Sequence, residues 1–286
     1  MIPESLLKYD LRRNLIADSD NPVLIQKAWR DHFAGESFWQ PGKDGGKAYL
    51  GVAKSEDAMT WNVFRSLQLE GHSGLRVVAD VLGISAVETV LFWGCDVEKQ
   101  SDIQQLLNIL IRTIDGQLKG TMTEPDLVFV TEGEVVFVEC KLNLNSNQSP
   151  WKAQRGSRDE DSGAARRMRS YIKAGFVELE GLKNWEEIYQ LIRQYIYATR
   201  MADVLQKQPV VVPVINAEHS EFLDTVYSIV QKCPLNKGGM FRNLITWQDI
   251  SARVASSGLK CATRVVKKMA EALESSKKKR RTTPST

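Results

Sequence analysis

The sequence predicts an α/β protein with a mixed central β-sheet flanked by α-helices. Helical and strand-like segments alternate along most of the 286 residues, which is typical of this class. Two short runs rich in Val, residues 126–130 and 135–142, flank a turn that contains Gly133. They predict a β-hairpin, with Gly133 supplying the positive φ of a tight turn.

Capping residues and hydrophobic periodicity predict the other elements. Ser55 is expected to cap a helix that runs to about residue 69, because Glu56 and Asp57 follow it in the first turn, where carboxylates suit the helix dipole. Further helices are predicted over residues 23–33, 101–118, 185–205, 221–231 and 249–275, and further strands over residues 88–93, 209–217 and 243–247.

A proline interrupts one strand-like run, one long segment has no regular pattern, and the chain is predicted to divide into four parts. Pro213 lies inside a strand-like run and predicts an edge strand or a bulge, while residues 143–170 carry no regular pattern. We expect the chain to divide into an N-terminal extension (1–50), a main domain (51–250), a C-terminal helix (251–274) and a basic, disordered tail (275–286).

Composition excludes several classes of function. The net charge is only +3, and residues 277–281 alone contribute five positive charges, so the rest of the chain is not broadly basic. The four cysteines form no CxxC pair and the three histidines are scattered, which argues against a zinc site or a disulfide framework. With no P-loop, GxGxxG or GxSxG motif, a small-molecule enzyme lacks support. No signal peptide or spanning apolar run is present, so we expect a cytoplasmic protein without a membrane partner.

The hairpin brings two carboxylates together. A two-residue turn at Glu132-Gly133 pairs Asp126 directly with Glu139, with Cβ atoms roughly 5 Å apart. Two opposed acids repel each other unless one is protonated or a cation lies between them. A hard divalent ion with oxygen ligands would satisfy both, and Mg²⁺ needs few protein carboxylates because it keeps several waters.

Strand alternation places Lys141 on the same face as Glu139. A lysine beside the ion could orient or deprotonate a water, or offset charge on a phosphorane-like transition state. The same register also places Lys141 opposite Glu124, so the alternative role of Lys141 is an ordinary cross-strand ion pair. The alternative role of Asp126, which follows Pro125, is simply to cap the strand.

These residues carry a resemblance to a known group of enzymes. Pro125-Asp126 followed by Glu139-Cys140-Lys141 resembles the signature of the PD-(D/E)xK nuclease superfamily, whose restriction-endonuclease-like core has a similar order of elements. The resemblance implies phosphodiester hydrolysis with Mg²⁺ or Mn²⁺, with Asp126, Glu139 and Lys141 as catalytic residues. It also implies metal contacts from the two acids, from the Cys140 backbone carbonyl and from an acid on the first core helix, Glu56, with Asp57 as the alternative.

Other polar residues are candidates for nucleic-acid contact. The superfamily often carries a polar helix after the catalytic strands, and Gln190 or Arg193 could serve there, a solvated helix face being the alternative. Cations and an aromatic ring also follow the hairpin, and a flexible loop there could reach phosphates or stack on a base, an ordinary solvated loop being the alternative. These residues are Trp151, Arg155, Arg158 and the basic run 166–169.

The predicted function is therefore a divalent-metal-dependent nuclease, with DNA as the favoured substrate and a restriction, repair or phage-defence role. The resemblance also implies nucleic acid as a partner and a homodimer as one assembly, since many members dimerise. The alternative is a catalytically inactive nuclease fold that serves as a nucleic-acid-binding or assembly module.

Overall fold

The computed structural model describes residues 11–12, 14–34, 55–115, 124–142, 163–176, 185–219, 241–242 and 244–277. The chain forms two compact units, one made of Leu82–Thr246 and the other of Met1–Val81 together with Trp247–Thr286. The predicted helix over residues 221–231 and the tail beyond residue 277 lie outside the described residues.

A mixed sheet of strand order β2-β1-β3-β4-β5-β6 forms the centre of the Leu82–Thr246 unit. Neighbouring strands are antiparallel from β2 to β4 and parallel from β4 to β6. The strands are β1 (Val87–Phe92), β2 (Cys95–Asp96), β3 (Leu127–Thr131), β4 (Glu134–Lys141), β5 (Gln208–Ile215) and β6 (Ile245–Thr246). The predicted fold class, a mixed sheet flanked by helices, is confirmed.

Most of the helices match the periodic segments of the sequence. In chain order they are α1 (Pro22–Ala34), α2 (Glu56–Thr60), α3 (Ser66–Leu69), α4 (His72–Leu82), α5 (Asp102–Asp115), α6 (Gly163–Lys173), α7 (Tyr189–Leu205), α8 (Trp247–Ala255) and α9 (Ala262–Lys277). A π-helical turn, Trp61–Arg65, joins α2 to α3, and 3₁₀ turns occupy Trp185–Ile188 and Ala217–His219. Among these helices, none combines the length and the apolar character that crossing a bilayer requires.

The β3–β4 hairpin has the predicted register, but side chains, and not a positive φ at Gly133, stabilise its turn. Its pairs run from Val130↔Val135 to Leu127↔Val138, a register in which residue 132 faces residue 133 at the turn. Gly133 is not among the glycines with positive φ, so the expected role of its backbone is wrong. Side chains hold the turn instead: the Thr131 hydroxyl accepts a hydrogen bond from the Glu134 N–H (2.8 Å), and Lys207 Nζ donates to the Glu132 carbonyl (2.7 Å).

Strand β5 shows why two prolines are tolerated in a buried strand. It lies between β4 and β6, and it pairs with β4 residue for residue through Pro213 without a register shift. The prediction of an edge strand or a bulge is therefore wrong. The N–H groups of Gln208 and Asn216 donate to β4 and its turn, and alternation along a strand therefore directs the N–H positions of Pro209 and Pro213 toward β6. That side is sparsely paired because β6 has only two residues, so the missing donors cost little.

Helices α5, α6 and α7 pack with one face of the sheet in a single hydrophobic core, which includes Leu107, Met168, Ile192 and Phe137. The ring of Tyr197 on α7 stacks on Phe137 of β4, with centroids 6.5 Å apart.

Residues 143–170 were expected to be irregular throughout, but helix α6 begins at Gly163. Ala165, Met168 and Tyr171 are its buried positions, and their spacing is helical. Four arginine and lysine residues among the eleven mask that pattern in the sequence.

The second compact unit contains α1 to α3, most of α4, and α8 and α9. Ser55 caps α2 as predicted, because its Oγ accepts a hydrogen bond from the Ala58 N–H (3.2 Å). A single helix over residues 249–275 was expected, but α8 and α9 are separate helices. The chain breaks near Gly258, whose φ of 69° is the left-handed conformation that favours glycine and ends helices.

Candidate active site

Glu139 and Lys141 form an ion pair at the carboxyl end of β4. Lys141 Nζ lies 2.7 Å from Glu139 Oε1. Both side chains are largely shielded from solvent, with 7% of the Glu139 side chain and 13% of the Lys141 side chain exposed. They point to the same face because they are two residues apart on a strand, as the sequence predicted. Lys141 therefore has an acidic partner on its own strand.

Gln194 on α7 holds the other oxygen of the same carboxylate. Its Nε2 donates to Glu139 Oε2 at 2.6 Å, so each oxygen of Glu139 receives a hydrogen bond or ionic contact from a protein group. Gln194 is 1% exposed, and within the described residues its buried Oε1 accepts no hydrogen bond. This amide is thus a polar group facing the site with hydrogen-bonding capacity left over.

Asp126 lies immediately before β3 and reaches across to the second strand. Its Oδ2 accepts a hydrogen bond from the Cys140 N–H at 2.7 Å, and its backbone carbonyl accepts one from the Trp93 N–H at 3.2 Å. The regular ladder ends at Leu127↔Val138, so Asp126 precedes the strand instead of being its first residue. Within a strand the N–H and C=O of one residue point to the same side, and the Cys140 carbonyl is therefore directed toward Asp126.

The two acids are each stabilised by a protein group. A cation was expected between them because facing acids repel each other, but Lys141 neutralises Glu139 and a backbone N–H stabilises Asp126. The cation is therefore not needed to hold the hairpin together. Among the described residues, moreover, no three His, Cys, Asp or Glu side chains form a cluster that could hold a metal ion.

The donor atoms still fit a hard divalent ion. Asp126, Glu139 and the Cys140 carbonyl supply only oxygen, the ligand atom that Mg²⁺ and Mn²⁺ prefer. Mg²⁺ is commonly bound through one or two carboxylates and keeps several of its waters, so a site with two acids is sufficient. Both carboxylates and the carbonyl lie at the same end of the hairpin.

Comparison with known proteins identifies the family. Residues 8–275 match the family model described as restriction endonuclease associating with ARP. The chain belongs to this family. No curated protein and no solved structure matches it. The match spans both compact units, and the restriction-endonuclease-like fold that it implies agrees with the mixed sheet and its flanking helices.

The predicted helix acid of this restriction-endonuclease-like chain lies in the other compact unit. Glu56 begins α2 and is partly exposed, and its contact with a metal stays a prediction. Asp57, the alternative, is 3.3 Å from Lys27 Nζ in an ion pair with little solvent exposure. Both acids lie in the first turn, where they suit the helix dipole.

Arg193, which the sequence suggested for nucleic-acid contact, is buried in a polar cluster. Its Nη2 is 3.2 Å from Asp115 Oδ2, and Asp115 also accepts hydrogen bonds from the hydroxyls of Tyr171 (2.6 Å) and Tyr197 (2.5 Å). We call these four residues the Asp115 cluster. It joins α5, α6 and α7, so the alternative of a solvated helix face is wrong for Arg193. Its contact with nucleic acid stays a prediction.

Of the remaining candidates for nucleic-acid contact, Gln190 lies within the described residues, whereas Trp151, Arg155 and Arg158 do not. Gln190 is partly buried on α7, and its Oε1 has no hydrogen-bond partner in the part of the chain that the structure describes.

Gln194 was not predicted, because the sequence offers two glutamines one turn apart on α7 and gives no reason to prefer the second. Only the packing of α7 against β4 distinguishes them.

The Asp115 cluster predicts a loss of stability at alkaline pH. Burial raises the pKa of both Tyr171 and Tyr197 well above the ordinary value of 10.0. Above about pH 10 the folded state therefore holds tyrosine protons that the unfolded chain releases, and the free energy of unfolding falls as the pH rises. Urea unfolding between pH 8.5 and 11 should show this fall, and a Tyr171→Phe/Tyr197→Phe variant should show a shallower one. Equal pH dependence in the two proteins would contradict the assignment.

Proposed function

We propose that this chain is a divalent-metal-dependent endonuclease that hydrolyses phosphodiester bonds, with DNA as its substrate. The observation that carries the proposal is the meeting of Asp126, Glu139 and Lys141 at one end of the β3–β4 hairpin. Glu139 Oε1 is 2.7 Å from Lys141 Nζ, and Asp126 Oδ2 is bound to the N–H of the residue between them in sequence, Cys140. The family described as restriction endonuclease supports the same class of reaction.

In the proposed reaction Asp126, Glu139 and the Cys140 carbonyl would hold the ion. When bound, Mg²⁺ or Mn²⁺ activates water and polarises the phosphate oxygens. Glu139 is already oriented by Gln194, so its carboxylate needs no rearrangement of the strand to serve as a ligand. A buried carboxylate fixed by two partners is the kind of preorganised group that metal chemistry requires.

Lys141 supplies the positive charge of the site. As water adds to phosphorus and the bond to the leaving oxygen breaks, negative charge builds up on the phosphate oxygens. A cation held in a shielded position stabilises this charge more strongly than one in bulk water. The ion pair with Glu139 keeps the Lys141 ammonium at the end of β4, so it is in place before substrate arrives.

A partner protein is part of the proposal. The family is described as associating with ARP, and we infer that this chain also acts with another protein. A homodimer remains our expectation for cleavage of both strands.

Two observations favour a second candidate function. Both Glu139 oxygens have protein partners, and the described residues contain no cluster of three acids or other metal-ligating side chains. These features suit an inactive nuclease fold that binds nucleic acid or assembles with a partner. The two functions differ in a single measurable outcome, which is strand cleavage.

Incubation of the purified chain with supercoiled plasmid tests the proposal. We expect nicked or linear plasmid in the presence of Mg²⁺, no product with EDTA, and recovery of cleavage when Mg²⁺ is added in excess over EDTA. Salt-dependent retardation of the plasmid without any nicking, in both Mg²⁺ and Mn²⁺, would instead establish the binding module. Cleavage that persists in EDTA would mean that the activity belongs to a contaminant or to other chemistry.

A further inference from the structure

Helix α6 has one strongly basic, exposed face. Arg166, Arg169 and Lys173 are exposed, and their spacing of three and four residues places them within about 60° of one another around the helix. They extend over about 10 Å along its axis. We call these three residues the α6 basic face. The opposite side of the helix packs into the core through Ala165, Met168 and Tyr171.

Helix α6 is anchored near the candidate active site through its buried side. Tyr171 on the buried side of α6 donates a hydrogen bond to Asp115 Oδ1 at 2.6 Å, and Tyr197 on α7 donates to Asp115 Oδ2 at 2.5 Å. Tyr197 is three residues beyond Gln194, which corresponds to about 4.5 Å along α7. Since Gln194 holds Glu139, α6 is tied to α7 within one turn of the residue that orients the candidate catalytic carboxylate.

A further cation lies at the end of α6. The guanidinium of Arg200 on α7 is 4.6 Å from the ring centroid of Phe176, three residues after α6 ends. Arg200 is 40% exposed, and its contact with Asp203 is long, at 3.8 Å between highly exposed side chains. Arg200 is therefore an accessible cation near the end of α6, and the Asp203 carboxylate offsets part of its charge.

We propose that the α6 basic face binds the phosphate backbone of the DNA strand that enters the candidate active site. The inference rests on the proposed function, because it takes nucleic acid as the ligand. One DNA strand presents a phosphate about every 3.4 Å of helix axis, so a basic face of about 10 Å can reach about three phosphates. Exposed arginine and lysine side chains on a helix are among the groups that bind phosphates in this way. The buried Asp115 cluster fixes the orientation of α6 and therefore the side of the helix from which they project.

Binding of a labelled 30-base-pair duplex in EDTA tests this proposal without any cleavage. For the variant Arg166→Ala/Arg169→Ala/Lys173→Ala we expect about a tenfold loss of affinity at low salt. The slope of log affinity against log salt should fall by about three, one for each phosphate that the variant no longer neutralises, and by the same amount for two unrelated duplex sequences. The substitutions lie on an exposed helix face and introduce a strong helix former, so the thermal unfolding midpoint should be unchanged.

A matched variant separates the α6 basic face from overall charge. Arg76→Ala/Lys260→Ala/Lys267→Ala also removes three exposed cations, and we expect wild-type affinity and salt slope from it. Equal reductions of affinity in the two triple variants, wild-type binding by the α6 variant, or a wild-type protein that does not bind the duplex would each overturn the proposal.

The plasmid assay keeps the two proposals apart. A chain that binds through the α6 basic face but never nicks plasmid disproves only the nuclease function. A chain that cleaves plasmid while the α6 variant binds normally disproves only the role of α6.

Discussion

Replacement of Glu139 by Gln is expected to reduce plasmid cleavage by about a hundredfold to a thousandfold, the size of effect seen when a preorganised charge-stabilising group is removed. The substitution keeps the length of the side chain and an oxygen that can accept the hydrogen bond from Gln194. It removes the negative charge that would bind the divalent ion and that pairs with Lys141 at 2.7 Å. The initial rate of nicking at saturating Mg²⁺, per mole of folded protein, measures the effect.

Glu134 provides the matched control, because it is a second buried acid on the same strand. Its Oε1 is 2.5 Å from Arg242 Nη2, and its Oε2 accepts a hydrogen bond from the Ser85 N–H at 2.9 Å. It begins β4, whereas Glu139 lies near the opposite end. We expect Glu134→Gln to lower the free energy of unfolding by about 1–3 kcal/mol and to leave the cleavage rate of the folded protein within about twofold.

Lys141→Ala should behave like Glu139→Gln, since it removes the charge expected to stabilise the transition state. If Glu134→Gln reduced cleavage as much as Glu139→Gln, or if Lys141→Ala cleaved at the wild-type rate, the active site would not lie at this end of the hairpin.

Replacement of Asp115 by Ala is expected to lower the free energy of unfolding by about 3–5 kcal/mol. The side chain of Asp115 is fully buried and accepts hydrogen bonds from Tyr171, Tyr197 and Arg193. Its removal leaves the buried Arg193 guanidinium without its counter-charge, which is the costly way to break such a cluster. Urea unfolding at pH 7, followed by far-UV circular dichroism, gives the difference.

The exposed ion pair of Asp80 and Arg253 supplies the comparison. Both side chains are more than 40% exposed, so solvent screens the pair and Asp80→Ala should cost no more than about 1 kcal/mol. Tyr171→Phe, which removes one hydrogen bond and leaves the charges paired, should cost about 1 kcal/mol. If Asp115→Ala destabilised the protein no more than Asp80→Ala did, the cluster would not hold α5, α6 and α7 together.

The hairpin shows how much of the candidate site local sequence can specify. The two-residue turn fixed the pairing from Val130↔Val135 to Leu127↔Val138, because turn length sets the register of a hairpin. The paired stretches of the two strands are continuously apolar and buried, so they carry no alternation that could set it. That register placed Glu139 and Lys141 on one face and brought Asp126 to the same end. The expected backbone conformation of Gly133 was wrong, yet the register held, since Thr131 and Lys207 stabilise the turn in its place.

Helix α6 and the α8–α9 break show where local patterns are insufficient. The apolar positions of α6 are few, and its charged residues follow a segment without pattern, so its periodicity is hard to recognise. Gly258 interrupts a stretch that is otherwise helical in composition. A glycine inside such a pattern is tolerated or ends the helix according to the packing on either side, which the sequence does not display.

The sequence by itself determined the class of the fold, the hairpin and the acids and lysine at its end, because turn length and the two-residue repeat of a strand act between residues close together in the chain. The tertiary structure decided which groups those side chains meet. Gln194 reaches Glu139 over 55 residues of sequence and Tyr197 reaches Asp115 over 82, and no local pattern encodes contacts of that span. They arise when α5, α6 and α7 bury their apolar sides on the sheet, which brings polar groups from distant segments within hydrogen-bonding distance and requires them to satisfy one another.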